Sequence, residues 1–517
     1  MTHAPHLEEQ SRGARRMSAL RDFVRTEAGS ATLLLGATLL ALVWANSPWS
    51  DSYHALWANE LSIRIGDVGI SMDLAHWIND GLMSLFFLLI GLEIRREFDM
   101  GELRDRRRVA VPVIAAFGGM LVPVLLFLAL NAGTDGARGW AMVMATDTAF
   151  ALGVLALAGR HGPMRLRAFL LTLVIIDDVA AVAVIALVYP ANLSVIGLLV
   201  AAGAVVVMAV VRRIGVERPA VYWGLSLVAW VATLEGGVHP TVAGVAIGLL
   251  TSAYPPRRAD LQTASRMVRR FREQPSPALA SEASRRISLS LSPNERLQHL
   301  LHPWSSFVVV PLFALANAGI ALDADTLSHA AGSRLTLGVI LGLVVGKPLG
   351  ITLFAWLGTR RWLGGLPMTV GWPSLIAAST VAGIGFTMSL LIAQLSYGND
   401  LLEDAKLGIL GGSLVAALLS IGFFRLLGLL PREWLRQAER RAAPPMTELA
   451  VAVDPRRDHV RGPADAPVTL LEYGDYECPY CRRAAPVIDE LLARSAGSLR
   501  FVMSHLPLTD VHPYAAL

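Results

Sequence analysis

Asp177 and Asp178 stand side by side in the run AFLLTLVIIDDVAAVAVIALVY and are the only formal charges between Ala168 and Val211. A carboxylate held at the centre of a bilayer costs roughly 2.5–3.5 kcal/mol on insertion scales, and two adjacent ones also repel each other. Helix packing requires neither, so the pair marks a functional position, by default on an ion or proton path. Two more charges are isolated in the same way. Asp147, in ATDTAFALGV, is the only charge between Arg138 and Arg160, and Lys347, in LVVGKPLGI, is the only one between Arg334 and Arg360. The chain contains 43 Arg and two Lys, yet the cation inside this apolar run is a lysine. A desolvated lysine can release its proton, whereas arginine essentially cannot. A structural ion pair between Lys347 and an aspartate is the plainer reading, and the two roles are compatible.

Two carboxylates in one low-dielectric site titrate as a coupled unit. Such a site can hold protons or a hard monovalent cation, since oxygen ligands suit hard cations, but holding both at once is unfavourable. If it opens alternately to the two sides of a membrane, this competition becomes exchange of cation for proton. A second chemistry lies near the other end of the chain. Cys478 and Cys481, the only cysteines, form the CPYC of APVTLLEYGDYECPYCRRAAPVIDELL, which reads as a strand, a turn and a helix opening at the cysteines. A CxxC at a helix N-terminus activates the first thiol and favours reversible disulfide chemistry. Half of a zinc site is the alternative, but the sequence has no second CxxC to complete it.

The elements that must carry these groups are membrane helices. Of the 517 residues, 54% are hydrophobic and 17% charged, with a mean hydropathy of +0.51, against about 25% charged in ordinary soluble domains. Runs of about 20 apolar residues indicate transmembrane helices. They predict an all-α polytopic membrane protein with about twelve spans, near 29–46, 75–94, 109–130, 139–158, 168–189, 194–211, 219–235, 239–252, 303–320, 335–358, 371–397 and 406–428. Gly383-Ile384-Gly385 interrupts the eleventh. The N-terminal arm and the loops after even-numbered spans hold 28 Arg, whereas the opposite loops hold only Arg64, Arg138, Arg334 and Lys406. The positive-inside rule then places both ends of the helical domain in the cytoplasm. The net charge of +4 follows from these loops. Basic residues that flank spans, with no aromatic-interleaved basic face, give no reason to invoke nucleic acid. Residues 1–28 read as a polar cytoplasmic arm, 29–430 as the membrane domain with a long Arg-, Ser- and Pro-rich loop at 253–301, 431–455 as a linker and 456–517 as a soluble domain.

Seven motifs, in order, resemble the NhaA-type sodium/proton antiporters: WINDGLMSLFFLLIGLEIRRE at 77–97, ATDTAFALGVLAL at 145–157, IIDDVAAV at 175–182, GGVHPTVAGVAIG at 236–248, HPWSSFVVVPLFALANAG at 302–319, GKPLGI at 346–351 and GIGFTMSLLIA at 383–393. The resemblance covers roughly residues 25–430. It implies inverted repeats with the fourth and eleventh helices unwound in mid-membrane, an architecture of which this family is itself a standard example. The breaks fall at Thr146-Asp147-Thr148 and at Gly383 and Gly385. By resemblance, Asp147 and Lys347 offset the half-helix charges, Asp177 and Asp178 hold Na+ or Li+, with Thr146 a further ligand, and Asp177 pairs with Lys347. Paired aspartates beside a lysine imply more than one proton per cation, hence electrogenic exchange, serving sodium and pH homeostasis in a bacterial inner membrane. Glu93, Glu97, His239, His299 and His302 fall at positions tied to pH response, although a histidine before proline at a helix end, as at His239, is also an ordinary cap. In RLQHLLHPW, Gln298 stands where the family often has a titratable glutamate. The resemblance also implies a homodimer, to which an outer β-hairpin contributes that segment 52–74 could supply, and no cofactor is expected.

The tail resembles the opening of a DsbA-like thioredoxin-fold domain, with LRFVMSHLPL a second strand and Cys478 and Cys481 its redox pair. Residues 456–517 are too few for the whole α/β domain, so a partial one is expected. In a reducing compartment, redox regulation of the transporter is the role such a tail suggests. A membrane-anchored thiol-disulfide oxidoreductase with idle helices is the competing function. It leaves four charges in lipid without a reason.

Overall fold

In hydrocarbon every backbone amide and carbonyl must be satisfied within the chain, which helices achieve segment by segment. The computed structural model follows that rule over the described residues. These are 27–438 and 453–506, except 67, 102, 104–105, 159–163, 191–192, 217, 255–257, 361–365, 367, 369, 432, 434, 436, 476–477 and 496. Most of the arm at 1–28 and most of the linker at 431–455 lie outside them. The chain divides into two compact units, Met1–Ala443 and Pro444–Leu517.

The first unit is helical apart from one hairpin. Helices α1 (Glu27–Ala45) and α2 (Ser50–Ala58) lead into strands β1 (Glu60–Ile65) and β2 (Val68–Asp73), paired antiparallel with Glu60 opposite Asp73. Then come α3 (Leu74–Asp99) and α4 (Arg106–Asn131), a 3-10 helix α5 (Asp135–Val143), α6 (Thr148–Ala158), α7 (Met164–Val188), α8 (Val195–Arg213), α9 (Pro219–Glu235) and α10 (Thr241–Leu250). The loop after α10 carries α11 (Arg258–Glu273) and α12 (Pro277–Leu289). The unit finishes with α13 (Pro293–Asn317), α14 (Ala324–Gly332), α15 (Arg334–Gly358), α16 (Trp372–Val381), α17 (Phe386–Ser396) and α18 (Asn399–Leu429).

Seven of these are unbroken apolar spans, and three bent pairs raise the count to ten if each pair is one span. The bends are 114° between α1 and α2, 49° between α5 and α6, and 45° between α16 and α17. The reading of about twelve also counted 219–235 and 239–252. Their helices are 17 and 10 residues long, short of the about 20 residues a span requires, so length and apolarity alone do not reach twelve among the described residues.

Helix α10 is nevertheless held firmly. A Cβ on Gly91 would lie 2.6 Å from the Val245 carbonyl oxygen, and one on Gly248 would lie 2.6 Å from that of Leu88. Backbone meets backbone along this seam, the close approach that small residues permit between membrane helices. Three spans also contain a π-helical turn, at Trp77–Leu82, Ser305–Val309 and Gly342–Gly346. The extra residue in such a turn re-aims the side chains beside it, and these turns are frequent at functional sites. The third delivers Lys347 to the interior, where it is 0% exposed.

In the second unit, β3 (His459–Arg461), β4 (Val468–Gly474), α19 (Pro479–Arg494) and β5 (Leu499–His505) form a sheet of order β3-β5-β4. β4 and β5 are parallel and joined through α19, while β3 is antiparallel to β5. The strand–helix–strand order matches the sequence reading, and β3 is an addition to it.

Candidate functional site

The two interrupted helices meet at their breaks. The Asp147 amide donates to the Ile384 carbonyl at 2.7 Å, and the Ser389 hydroxyl donates to the Met142 carbonyl at 2.6 Å. Each break exposes one helix C-terminus and one N-terminus. These carry partial charges of about −0.5 and +0.5, together with backbone groups that lack a helical partner. Asp147 serves both N-termini. Its Oδ1 accepts from the Phe150 amide of α6 at 3.0 Å, and its Oδ2 accepts from the Thr387 amide and hydroxyl of α17 at 2.9 and 2.7 Å. The C-termini receive donors instead. The Lys347 ammonium reaches the Met144 carbonyl at 2.5 Å, and the Thr146 hydroxyl reaches the Ala382 carbonyl at 3.0 Å. Opposite charges thus face opposite dipole ends inside a buried crossing.

Gly383 makes the crossing possible. A Cβ there would lie 2.5 Å from the Leu343 carbonyl oxygen and 3.1 Å from the Ala416 side chain. Gly385 is as confined, its Cβ colliding with the Ser389 hydroxyl and standing 3.1 Å from the Ala145 carbonyl. Gly383→Ala is therefore expected to push the breaks apart and destabilise the crossing by about 1–3 kcal/mol, the usual cost of overpacking a tight interior. Thermal unfolding in detergent checks this.

Asp177 and Asp178 enter the crossing from α7, at 0% and 4% exposure. Asp177 Oδ2 accepts from Lys347 Nζ at 2.6 Å and from the Thr146 hydroxyl at 2.7 Å. Asp177 Oδ1 is buried with no hydrogen-bond partner. A buried acceptor left without a partner costs about 1–3 kcal/mol, more when charged, so this oxygen is a position at which a proton or cation would be stabilised. Among the described residues Asp178 Oδ2 accepts only from the Thr148 hydroxyl, at 3.1 Å, and the carboxylates of Asp177, Glu93 and Asp147 lie within electrostatic reach of it. Thr146 adds a choice. Its hydroxyl accepts from Lys347 at 2.7 Å and has one proton for two acceptors, Asp177 and the Ala382 carbonyl.

The five residues singled out for pH response do not form one cluster. Glu93 is half-buried on α3, near Asp178. Glu97 lies one turn further along, towards the Arg-rich side. There α13 is joined to α3 by Gln298, which accepts from Arg96 at 3.3 Å, and by Asn294, which donates to the Leu92 carbonyl at 2.9 Å. His299 and His302 are exposed on α13. His239 lies at the Arg-poor end, where its Nδ1 is 3.1 Å from Asp80 Oδ1. Asp80, 5% exposed, is missing from the sequence reading. It is a charge inside the apolar run 75–94, and the cost that singled out Asp177 singles it out too. Thr387 and Ser389 were also missed, and Thr148 was read only as part of the break, because a hydroxyl in an apolar helix ordinarily bonds back to its own backbone.

In the second unit Cys478 is the N-cap residue of α19, with Cys481 in its first turn, and no disulfide joins them. A backbone hydrogen bond from Asp475 lowers the Cys481 thiol. Burial together with the neighbouring Cys478 and Glu472 outweighs it and leaves that thiol above its ordinary value.

Comparison with known proteins accounts for both units. Residues 21–424 match the family described as Na+/H+ antiporter 1, and residues 455–517 match a family described as thioredoxin. Among similar proteins, the Na(+)/H(+) antiporter NhaA 1 of Salinispora arenicola is 49% identical over 96% of this chain and 76% of its own length. The Na(+)/H(+) antiporter NhaA 1 of Mycolicibacterium vanbaalenii is 43% identical over 95% and 78%, and the NhaA of Herminiimonas arsenicoxydans is 42% identical over 96% and 79%. Agreement of this depth along nearly the whole chain accounts for a polytopic helical protein that holds charges in its interior: the chain belongs to the NhaA-type Na+/H+ antiporter family and carries a thioredoxin-like domain behind its membrane unit.

Proposed function

We infer that this antiporter binds Na+ or Li+ at Asp177 and Asp178, and that exchange is electrogenic, more than one proton moving against each cation. The observation that carries this reading is the buried, partnerless Asp177 Oδ1 beside Asp178. It leaves two carboxylates unsaturated inside an otherwise satisfied crossing. A cation entering here would find carboxylate and hydroxyl oxygens, the ligands hard cations prefer. Protons arriving on the carboxylates would remove the charge that held it. Asp147 and Lys347 keep the half-helices in place while this happens, and inverted repeats provide the rocking that alternates access. Both termini face the cytoplasm of a bacterial inner membrane, an orientation supported by the Arg asymmetry. Glu93, Glu97, His239, His299 and His302 set the pH response, with Asp80 added as the partner of His239.

The test is collapse of a pH gradient in everted vesicles on adding Na+, Li+ or K+ across a pH series. Na+ and Li+ are expected to discharge the gradient and K+ to leave it standing. A wild-type chain that inserts yet never moves protons in response to Na+ would end this reading. Thr146 offers a finer check. Thr146→Ser keeps the hydroxyl and is expected to leave the Na+ KM within about twofold. Thr146→Val removes a ligand and a hydrogen bond worth about 0.5–1.5 kcal/mol, and is expected to raise that KM several-fold.

The membrane unit pairs with a second copy through the β1–β2 hairpin. Leu61 and Ile63, on one face of β1, are 46% and 55% exposed, an apolar edge that association would cover. The tail adjusts antiport according to the redox state of Cys478 and Cys481. Antiport in oxidising and reducing buffer is expected to differ for the wild type and to be the same for Cys478→Ser. Equal wild-type rates in the two buffers would exclude the regulation.

A further inference from the structure

Three carboxamides from three different helices close into a ring. Asn79, in the π-turn of α3, donates from Nδ2 to Gln394 Oε1 at 2.7 Å. Gln394, on α17, donates from Nε2 to Asn317 Oδ1. Asn317, the last residue of α13, donates from Nδ2 to Asn79 Oδ1 at 2.8 Å. Around the ring each amide gives one bond and receives one, and Asn79 Nδ2 also donates to Asn317 Oδ1, at 3.4 Å. The sense of the ring is fixed from outside it, because Asn317 Nδ2 also donates to the Phe313 carbonyl at 2.8 Å. Turning Asn317 over would set its oxygen against that carbonyl, and turning either of the others would place donor against donor. Asn317, 2% exposed, is held by a helix end that the Tyr53 hydroxyl secures at the Leu315 carbonyl, at 2.8 Å.

The ring sits at one end of the transporter and touches the element that the ion site also touches. Asn79 opens the span that follows the 47–74 loop, while Asn317 and Gln394 end the spans that precede the Arg334 and Lys406 loops. All three therefore belong to the Arg-poor side, which is the outer side in the orientation inferred above. On α17, Gln394 lies seven residues beyond Thr387, the partner of Asp147. Seven residues return to the same helix face about 10 Å along the axis. One short rigid helix is thus gripped at one end by the ion site and at the other by the ring. The carbonyls and amides of the ring are neutral, so the grip is independent of the protons that the site handles.

We propose that the Asn79–Asn317–Gln394 amide ring is the outer latch of the antiporter: it holds α17 against α3 and α13 while the outer path to Asp177 and Asp178 is shut, and it breaks when that path opens. This inference rests on the exchange reading, since a latch presupposes alternating access. Apparent affinity measured from one side is weakened by the fraction of molecules not open to that side. Removing the latch should therefore lower the ratio of the outer to the inner Na+ KM. In oriented proteoliposomes of the full chain, Gln394→Met and Asn79→Leu are each expected to lower that ratio about threefold or more. The double variant should lower it no further than Gln394→Met alone, because both bonds that hold α17 run through Gln394. If Gln394→Met does not insert, Asn79→Ser takes its place, its hydroxyl too short to reach Gln394. Variants that exchange with an unchanged ratio, or a double variant whose shift is the sum of the single ones, would overturn the latch and leave the antiporter assignment standing. A wild-type chain without Na+-driven proton movement would overturn the exchange reading instead.

Discussion

Asp178→Asn should abolish Na+/H+ exchange, lowering the rate at least a hundredfold (about 2.7 kcal/mol in barrier), while the protein inserts and folds as well as the wild type. The neighbours of Asp178 are the reason the two outcomes separate. Among the described residues its one hydrogen bond comes from the Thr148 hydroxyl at 3.1 Å, and an asparagine oxygen accepts that bond equally well. No cation among those residues is paired with it, and the carboxylates around it repel it. The substitution therefore removes a buried charge that nothing balances, a change that tends to be neutral or stabilising. The same exchange at Asp177 has a different cost. Asp177→Asn leaves the Lys347 ammonium, 0% exposed, without its counter-ion, so activity and stability should fall together. Gradient collapse in vesicles and thermal unfolding in detergent, measured on both variants, check the contrast. An Asp178→Asn protein that keeps a tenth or more of the wild-type rate would remove this residue from the site.

Much of that site was legible in the sequence because its cost is legible. Asp147, Asp177, Asp178 and Lys347 stand alone in apolar runs, and insertion energetics single them out before any fold is known. The breaks were legible at Gly383 and Gly385 for a related reason, since glycine in the middle of a span weakens the helix there. Which oxygen bonds which donor was not. Asp147 capping two helices at once needs α17 to arrive from 240 residues away, and periodicity carries no information at that range. Asp80 was legible and passed over, because WINDGL reads as a helix start, where an acidic residue is ordinary. The amide ring was hidden for a deeper reason. Asn and Gln carry no charge, so each alone reads as a tolerated polar residue. Only the meeting of Asn79, Asn317 and Gln394 gives them a joint role. The short helices α9 and α10 show a different limit. Apolar length predicts spans, whereas α10 is kept in place by a glycine seam on α3 that a hydropathy window does not weigh.

Lys347 should prove as consequential as the aspartates, and its variants can assign a proton. All three ammonium hydrogens are used, by the Met144 carbonyl, the Thr146 hydroxyl and Asp177 Oδ2. Lys347→Met strands all three acceptors. Removing one partner of a buried ion pair costs about 3–5 kcal/mol, so the unfolding midpoint should drop and exchange should vanish. Adding Asp177→Asn removes the stranded charge and should recover most of the stability without recovering exchange. Non-additivity of that kind is what a double-mutant cycle reports for a direct pair. Lys347→Arg separates structure from proton transfer. The guanidinium keeps the positive charge at the Met144 helix end, so stability should lie well above that of the Met variant. Arginine essentially never deprotonates, and a cation that displaces Asp177 from Lys347 can expel a proton only from lysine. If Lys347 carries one of the transported protons, the Arg variant exchanges fewer protons per cation, and the membrane potential generated by exchange in proteoliposomes should disappear while residual Na+ movement persists. A potential retained at the wild-type ratio to Na+ flux would place every transported proton on the aspartates and leave Lys347 as the counter-charge that holds the crossing together.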